Sequence, residues 1–276
     1  MDARANDKWI FETRSILGWL LFTFSAGFVN AAAVMACQNF VAHITGNVTN
    51  IAVESTQAAS FILVVAMFIG GAMAAYLLAE TLSRAGKGAA FVIPVLLSFT
   101  ILIAIGVTGK SGAFGAFGSD HRVSSGSFTM LALLAAALGM VNAAVANVTR
   151  NQIRITHLTG PATDLAGNLV RALLDAGEGT AIELRWAILR LTKVATFAGG
   201  AVFSVRLAPR LEYDVFCVAA LFLVLALAFA SGSIVAKYSA LAQLSRLEEG
   251  EDAIPLATRY EDGMPPLPSD DDERPK

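Results

Sequence analysis

The sequence predicts an all-α, polytopic membrane protein: six transmembrane helices forming two inverted three-helix repeats with polar helix breaks. Three observations predict it. The 276-residue chain is 55% hydrophobic and only 15% charged, with a mean hydropathy of +0.62, whereas soluble domains carry roughly 25% charged residues. Uncharged apolar runs of near-spanning length recur along the chain. Two related polar decamers, HITGNVTNIA from His43 and HLTGPATDLA from His157, sit beside those runs at matching places.

Residues 1–15 form a short N-terminus in which Arg4, Lys8 and Arg14 are balanced by Asp2, Asp7 and Glu12. The runs 16–37, 58–79, 89–107, 128–148 and 215–236 contain no charged residue, and about 20 apolar residues suffice to cross a bilayer core. A sixth run, 186–207, is interrupted by Arg190, Lys193 and Arg206. Its first two basic side chains must snorkel or face the protein interior. Anionic headgroups are the favoured partners for that pair, ahead of an anion route.

The runs fall into two related sets. Gly27-Phe28-Val29-Asn30-Ala31-Ala32 aligns with Gly139-Met140-Val141-Asn142-Ala143-Ala144, the decamers follow, and Phe68-Ile69-Gly70-Gly71-Ala72 then aligns with Phe197-Ala198-Gly199-Gly200-Ala201. The first repeat occupies 16–108 and the second 128–243, joined by a Gly/Ser-rich linker at 109–127. Three spans per repeat is an odd number, so the second must enter the membrane from the opposite side, as in transporters whose sites form between inverted repeats from interrupted helices.

Residues 244–276 read as a disordered acidic tail, with ten acidic residues, four basic ones and five prolines. Short-loop basic residues orient the rest. With the N-terminus inside, the inner segments hold Arg4, Lys8, Arg14, Arg84, Lys87, Arg150, Arg154, Arg171, Arg185 and Lys237, and the outer ones Lys110, Arg122, Arg206 and Arg210. Both termini are therefore expected in the cytoplasm, with the chain in the cell membrane.

The repeated polar residues are the candidate site. Asn30 and Asn142 lie within uncharged runs, where an unpaired amide costs several kcal/mol; each follows a glycine by three residues, on one helix face. That arrangement suits an interhelical hydrogen bond, or the lining of a pathway. In the decamers, Gly46 and Gly160 permit a sharp turn, with Thr159 as a cap and Pro161 at the first helical position. Amphipathic helices are expected after each turn, at 161–175 and, more weakly, 47–57. Thr45, Asn47, Thr49, Thr159 and Thr163 add polar groups, His43 and His157 add titratable rings, and Asp164 is expected to pair with Arg154. The alternative is an ordinary interfacial cap in each half.

Other chemistry finds no support. Cys37 and Cys217 stand alone in apolar runs, and neither a zinc spacing, a phosphate-binding loop nor a nucleophile elbow occurs. The expectation is a non-enzyme with no cofactor or structural metal. Its partners would be the lipid bilayer and a small solute or ion, not nucleic acid.

The Gly-x-x-Asn-Ala segments at Gly27 and Gly139, Thr45-Gly46-Asn47, and His157-Leu158-Thr159-Gly160 followed by Thr163-Asp164-Leu165 resemble the YoaK-like family. These are bacterial membrane proteins carrying domain of unknown function 1275, in which an aspartate is common at the position of Asn30. The resemblance runs from the first span to the sixth; it implies a multi-pass membrane protein and no particular activity. The residues themselves point to a small-solute transporter or channel-like protein with its site at the repeat interface. A non-transporting scaffold or accessory subunit is the alternative.

Overall fold

The charged start of the chain gives way at Thr13 to a long apolar helix, and such helices, interrupted by short polar breaks, set the architecture. The computed structural model describes residues 9–84, 90–118, 125–174, 177 and 179–251. Its α-helices are α1 (Thr13–Cys37), α2 (Ile44–Val53), α3 (Ala58–Arg84), α4 (Val92–Lys110), α5 (Ser125–Val148), α6 (Thr159–Leu174), α7 (Gly179–Leu211) and α8 (Asp214–Glu251), and a 3-10 turn at Ser55–Gln57 leads into α3. None of the described residues lies in a strand. Six helices are long and apolar enough to cross a membrane: α1, α3, α4, α5, α7 and α8. The protein is a multi-pass, all-α membrane protein.

Helix α7 is longer than its apolar run, at 33 residues. Its first turns carry Glu183, Arg190 and Lys193 on the side that receives α6, so charge there does not end the helix. Helix α8 continues through 244–251, at the start of the acidic tail; 252–276 lie outside the described residues.

Both breaks arise from local backbone chemistry. After α1, Gln38 takes a left-handed conformation (φ 57°) and its N–H closes on the Val34 carbonyl. After α5, Arg150 and Asn151 are left-handed (φ 51° and 64°), and the buried Thr149 hydroxyl donates to the Val145 carbonyl (2.7 Å) while accepting the Ile153 N–H (3.2 Å). Short helices, α2 and α6, follow. Between α4 and α5, Gly112, Gly115 and Gly118 all have positive φ. The Gly118 N–H donates to the Ala36 carbonyl (3.3 Å) and the Tyr213 hydroxyl to the Gly115 carbonyl (3.0 Å), which ties the linker to the end of α1 and the start of α8.

The helices pack by exchange between the halves. Gly27 of α1 lies against the Phe197 carbonyl of α7, and Gly200 of α7 against the Phe24 carbonyl of α1. In the same register, Gly139 of α5 lies against the Phe68 carbonyl of α3, and Gly71 of α3 against the Ala136 carbonyl of α5. A Cβ at any of the four would collide with backbone, which is why small residues stand there. Two buried serines repeat the exchange: Ser25 of α1 donates to the Ala219 carbonyl of α8 (3.3 Å), and Ser98 of α4 donates to the Ala137 carbonyl of α5 (3.0 Å). By the sequence alignment, residues 25 and 137 occupy equivalent positions. Helices α1 and α5 are the most enclosed of the six. Helices α3 and α7 expose apolar side chains such as Ile69, Met73, Ile188 and Val202, an exterior suited to lipid.

Candidate functional site

Each break is built from an asparagine, a histidine and a glycine. The Asn30 Oδ1 accepts the N–H groups of Val41 (3.1 Å) and Ala42 (2.9 Å). The Asn142 Oδ1 accepts the N–H of Thr156 (3.3 Å), the residue equivalent to Ala42. Both asparagines therefore hold the backbone of their own break, rather than forming the expected bond to another helix. Each amide oxygen supplies an acceptor that the interrupted helix lacks.

The histidine rings fold back over the first turn that follows. A Cβ on Gly46 would overlap the His43 ring, and one on Gly160 would come 2.7 Å from His157 Nε2. The glycine three residues after each histidine thus makes room for an imidazole. In the second break His157 Nε2 accepts the Gly160 N–H (3.2 Å). That bond, and not a Thr159 side chain, caps α6, which starts at Thr159 and puts Pro161 in its first turn but not at its first position. Thr49 and Thr163 donate to the Thr45 and Thr159 carbonyls (3.1 and 3.2 Å), so these hydroxyls are used within their own helices. His43, Thr45, Thr49, His157, Thr159 and Thr163 are exposed, whereas Asn47 is buried and its Nδ2 donates to the Phe40 carbonyl (2.9 Å).

The two breaks do not meet in one site. The second lines a cavity of about 40 Å³ together with Trp19 and Thr23 of α1, Trp186, Arg190 and Lys193 of α7, and Pro161. The first begins at the far end of α1, after Cys37. From Thr23 to Cys37 an α-helix rises about 20 Å at 1.5 Å per residue. Of the twelve sequence-predicted residues, Asp164 lines this cavity and His157 and Gly160 adjoin its lining residues; Asn30, His43, Thr45, Gly46, Asn47 and Thr49 belong to the other end.

Charge distinguishes the second break. The buried Lys193 donates through Nζ to the His157 carbonyl (3.2 Å). Arg190 pairs with Asp164 (3.2 Å), donates to the Asp164 carbonyl (3.3 Å) and lies 5.6 Å from the centre of the Trp186 ring. The expected Arg154–Asp164 pair is replaced by this one, and Arg154 instead donates to Asn151 Oδ1 (3.2 Å). The basic pair on α7 turns inward to α6, not outward to headgroups. Farther along α6, the buried Glu183 carboxylate accepts from Asn168 Nδ2 and from Arg171 Nε (3.0 Å). Partial desolvation of this mostly exposed ring, with Lys193 and Arg154 nearby, pulls the His157 imidazole below its ordinary 6.5, and Asp164 opposes this only in part. The ring is thereby favoured in the neutral form that can accept from Gly160.

Lys193, Arg190, Glu183 and Trp19 were not among the predicted site residues. A signal for three of them exists: Glu183, Arg190 and Lys193 share one face of α7, and Asp164, Asn168 and Arg171 share one face of α6. Among the described residues no group of three His, Cys, Asp or Glu side chains is placed to hold a metal.

Six apolar spans, two polar breaks and backbone-close glycine contacts define a polytopic helical membrane protein. The chain belongs to a family described as a protein of unknown function (DUF1275), whose family model matches residues 18–235. No curated protein and no solved structure matches it.

Proposed function

We propose that the two halves are inverted repeats and that the protein carries a small solute across the membrane, with the cavity between α1, α6 and α7 as its solute site. The carrying observation is the exchange packing. Each half contributes one enclosed helix, α1 or α5, which lies against the other half's glycine helix, and each half ends its enclosed helix in a break of the same construction. Two opposed units with interrupted helices at their interface are the arrangement on which alternating access operates. In this reading the breaks are gates at opposite membrane faces, both termini are cytoplasmic, and no reaction is catalysed. Purified protein in vesicles should give saturable uptake of at least one small solute above empty vesicles. Lys193→Val and Asp164→Asn should change that uptake without lowering the melting temperature by more than a few degrees. Absence of uptake for neutral, anionic and cationic solutes alike would remove the reading, and reporter fusions at each terminus check the orientation.

One observation favours a second reading, a non-transporting scaffold or accessory subunit. The Asn30 oxygen and the Thr49 and Thr163 hydroxyls are engaged by their own breaks, as expected if the breaks only lock the bundle. That reading predicts inert vesicles and a membrane partner that copurifies in fixed ratio.

A further inference from the structure

We infer that the cavity beside the second break binds a small monovalent anion; this names the solute class for the site proposed above and rests on that reading only for its link to transport. The first ground is charge. Arg190 and Asp164 neutralise each other, which leaves the Lys193 ammonium. Lys193 is 6% exposed, and among the described residues no carboxylate lies within ion-pair distance of it. Among the described residues its one hydrogen bond is to the His157 carbonyl, which leaves two of its three donors. A buried cation without a counter-charge is costly, and an anion beside it removes that cost.

The second ground is an independent donor. Trp19 is 1% exposed, its indole Nε1–H has no acceptor, and the residue lines the same cavity as Lys193. Buried indole N–H groups ordinarily find a partner. An ion in this space would take up the spare Lys193 donors, and its negative charge would attract the unpaired Trp19 N–H beside it. Size sets the class. A cavity of about 40 Å³ admits the centres of a few waters at roughly 10–15 Å³ each, which suits a halide or a compact oxyanion.

The repeat supplies the control. Under the alignment of Phe68 with Phe197, Lys193 corresponds to Val64 and Arg190 to Phe61; Val64 is fully buried. Lys193→Val therefore installs a side chain that the fold already accommodates at the matching place.

Two of the three tryptophans, Trp19 and Trp186, line the cavity, so intrinsic fluorescence reports on it. The full chain in detergent is titrated with potassium bromide against potassium gluconate at constant ionic strength. A saturable quenching component is expected. Lys193→Val should weaken it by at least about tenfold, the scale of one hydrogen bond to a charged group, whereas Lys193→Arg should keep it. Trp19→Phe, read through Trp186, should weaken it several-fold and serves as the second variant if Lys193→Val does not fold. Purely linear quenching in the natural protein overturns the inference, as does a saturable component that folded Lys193→Val leaves unchanged. Lys193-dependent bromide binding in a protein that moves nothing in vesicles would uphold the site and remove the transport reading. Solute uptake without such binding would do the reverse.

Discussion

The first and second breaks share a frame and differ in what is laid over it. Each has an asparagine oxygen on the incoming backbone, an imidazole over a glycine three residues later, and a threonine pair bonded i to i+4. The first break adds little else: Asn50 stands where the second has Asp164, and α3 offers Phe61 and Val64 where α7 offers Arg190 and Lys193. The frame therefore depends on hydrogen-bond acceptors and steric room, and it forms without charge. The charges at the second break form a separate layer, and they mark one end of the molecule as chemically distinct. If the breaks are gates, they are gates of unequal polarity.

The largest test of the shared frame is at the glycine pairs. In both halves the second glycine, Gly71 or Gly200, abuts a carbonyl, while the first, Gly70 or Gly199, has nothing within 4 Å. Gly71→Val and Gly200→Val should each cost about 3 kcal/mol or prevent folding, at the upper end of overpacking effects. Gly70→Val and Gly199→Val should stay within about 0.5 kcal/mol. Thermal unfolding in detergent measures all four, and equal damage at both members of a pair would break the proposed correspondence of the halves.

Next in size are the asparagines. Asn30→Ala strips an acceptor from two buried N–H groups and should cost about 2–3 kcal/mol. Asn142→Ala frees one N–H held by a longer bond of 3.3 Å and should cost about half as much. Asn30→Asp keeps an oxygen on both N–H groups and should be milder than Asn30→Ala. What the position requires is an acceptor. Should Asn30→Asp abolish uptake while leaving the melting temperature unchanged, the residue has a role beyond holding the break.

A buried acid separates the halves in the next test. Glu183 and Glu54 occupy equivalent positions by the alignment of α3 with α7. Glu183 holds Asn168 and Arg171 of α6, whereas Glu54 is exposed and accepts from its neighbour Gln57 (3.0 Å). Glu183→Ala should cost about 1–3 kcal/mol by leaving the buried Asn168 amide unpaired, and Glu54→Ala less than about 0.5 kcal/mol. Equal losses would mean that the charge layer does not hold α6.

Span count and the residues of both breaks were legible because hydrophobic length and repeated polar positions are local signals. All six expected spans coincide with helices, and the Asn–His–Gly recurrence pointed to the parts of each break. Partner choice was not legible. The two Oδ1 acceptors are satisfied by backbone 11 to 14 residues away, a closure that depends on the left-handed residues Gln38, Arg150 and Asn151. None of those is a glycine, and only Asn151 is of a type that favours the left-handed region. Nearness in sequence predicts Arg154 as the partner of Asp164, whereas the fold brings Arg190 from 26 residues on. An apolar run with a basic start ordinarily sits at an interface, which predicts headgroup contact for Lys193. Only the docking of α6 turns that face inward. Matching the polar stripes of α6 and α7 would have anticipated it.

The smallest effect concerns the second histidine. His157 Nε2 accepts the Gly160 N–H, a bond available only to the neutral ring, and protonation would set donor against donor. With its folded pKa held below 6.5, the unfolded chain takes up this proton first as the pH falls. The stability from the neutral ring is then fully present above 6.5 and is lost as pH drops through the folded value. His157→Gln removes the titration. The melting temperature of the natural protein should therefore decline toward that of His157→Gln as pH falls below 6.5, with their difference constant above it. Imidazole NMR signals should place His157 below 6.5. A difference that grows as the solution is acidified would mean that the ring is held as a cation, which would reverse its role from accepting at α6 to donating elsewhere.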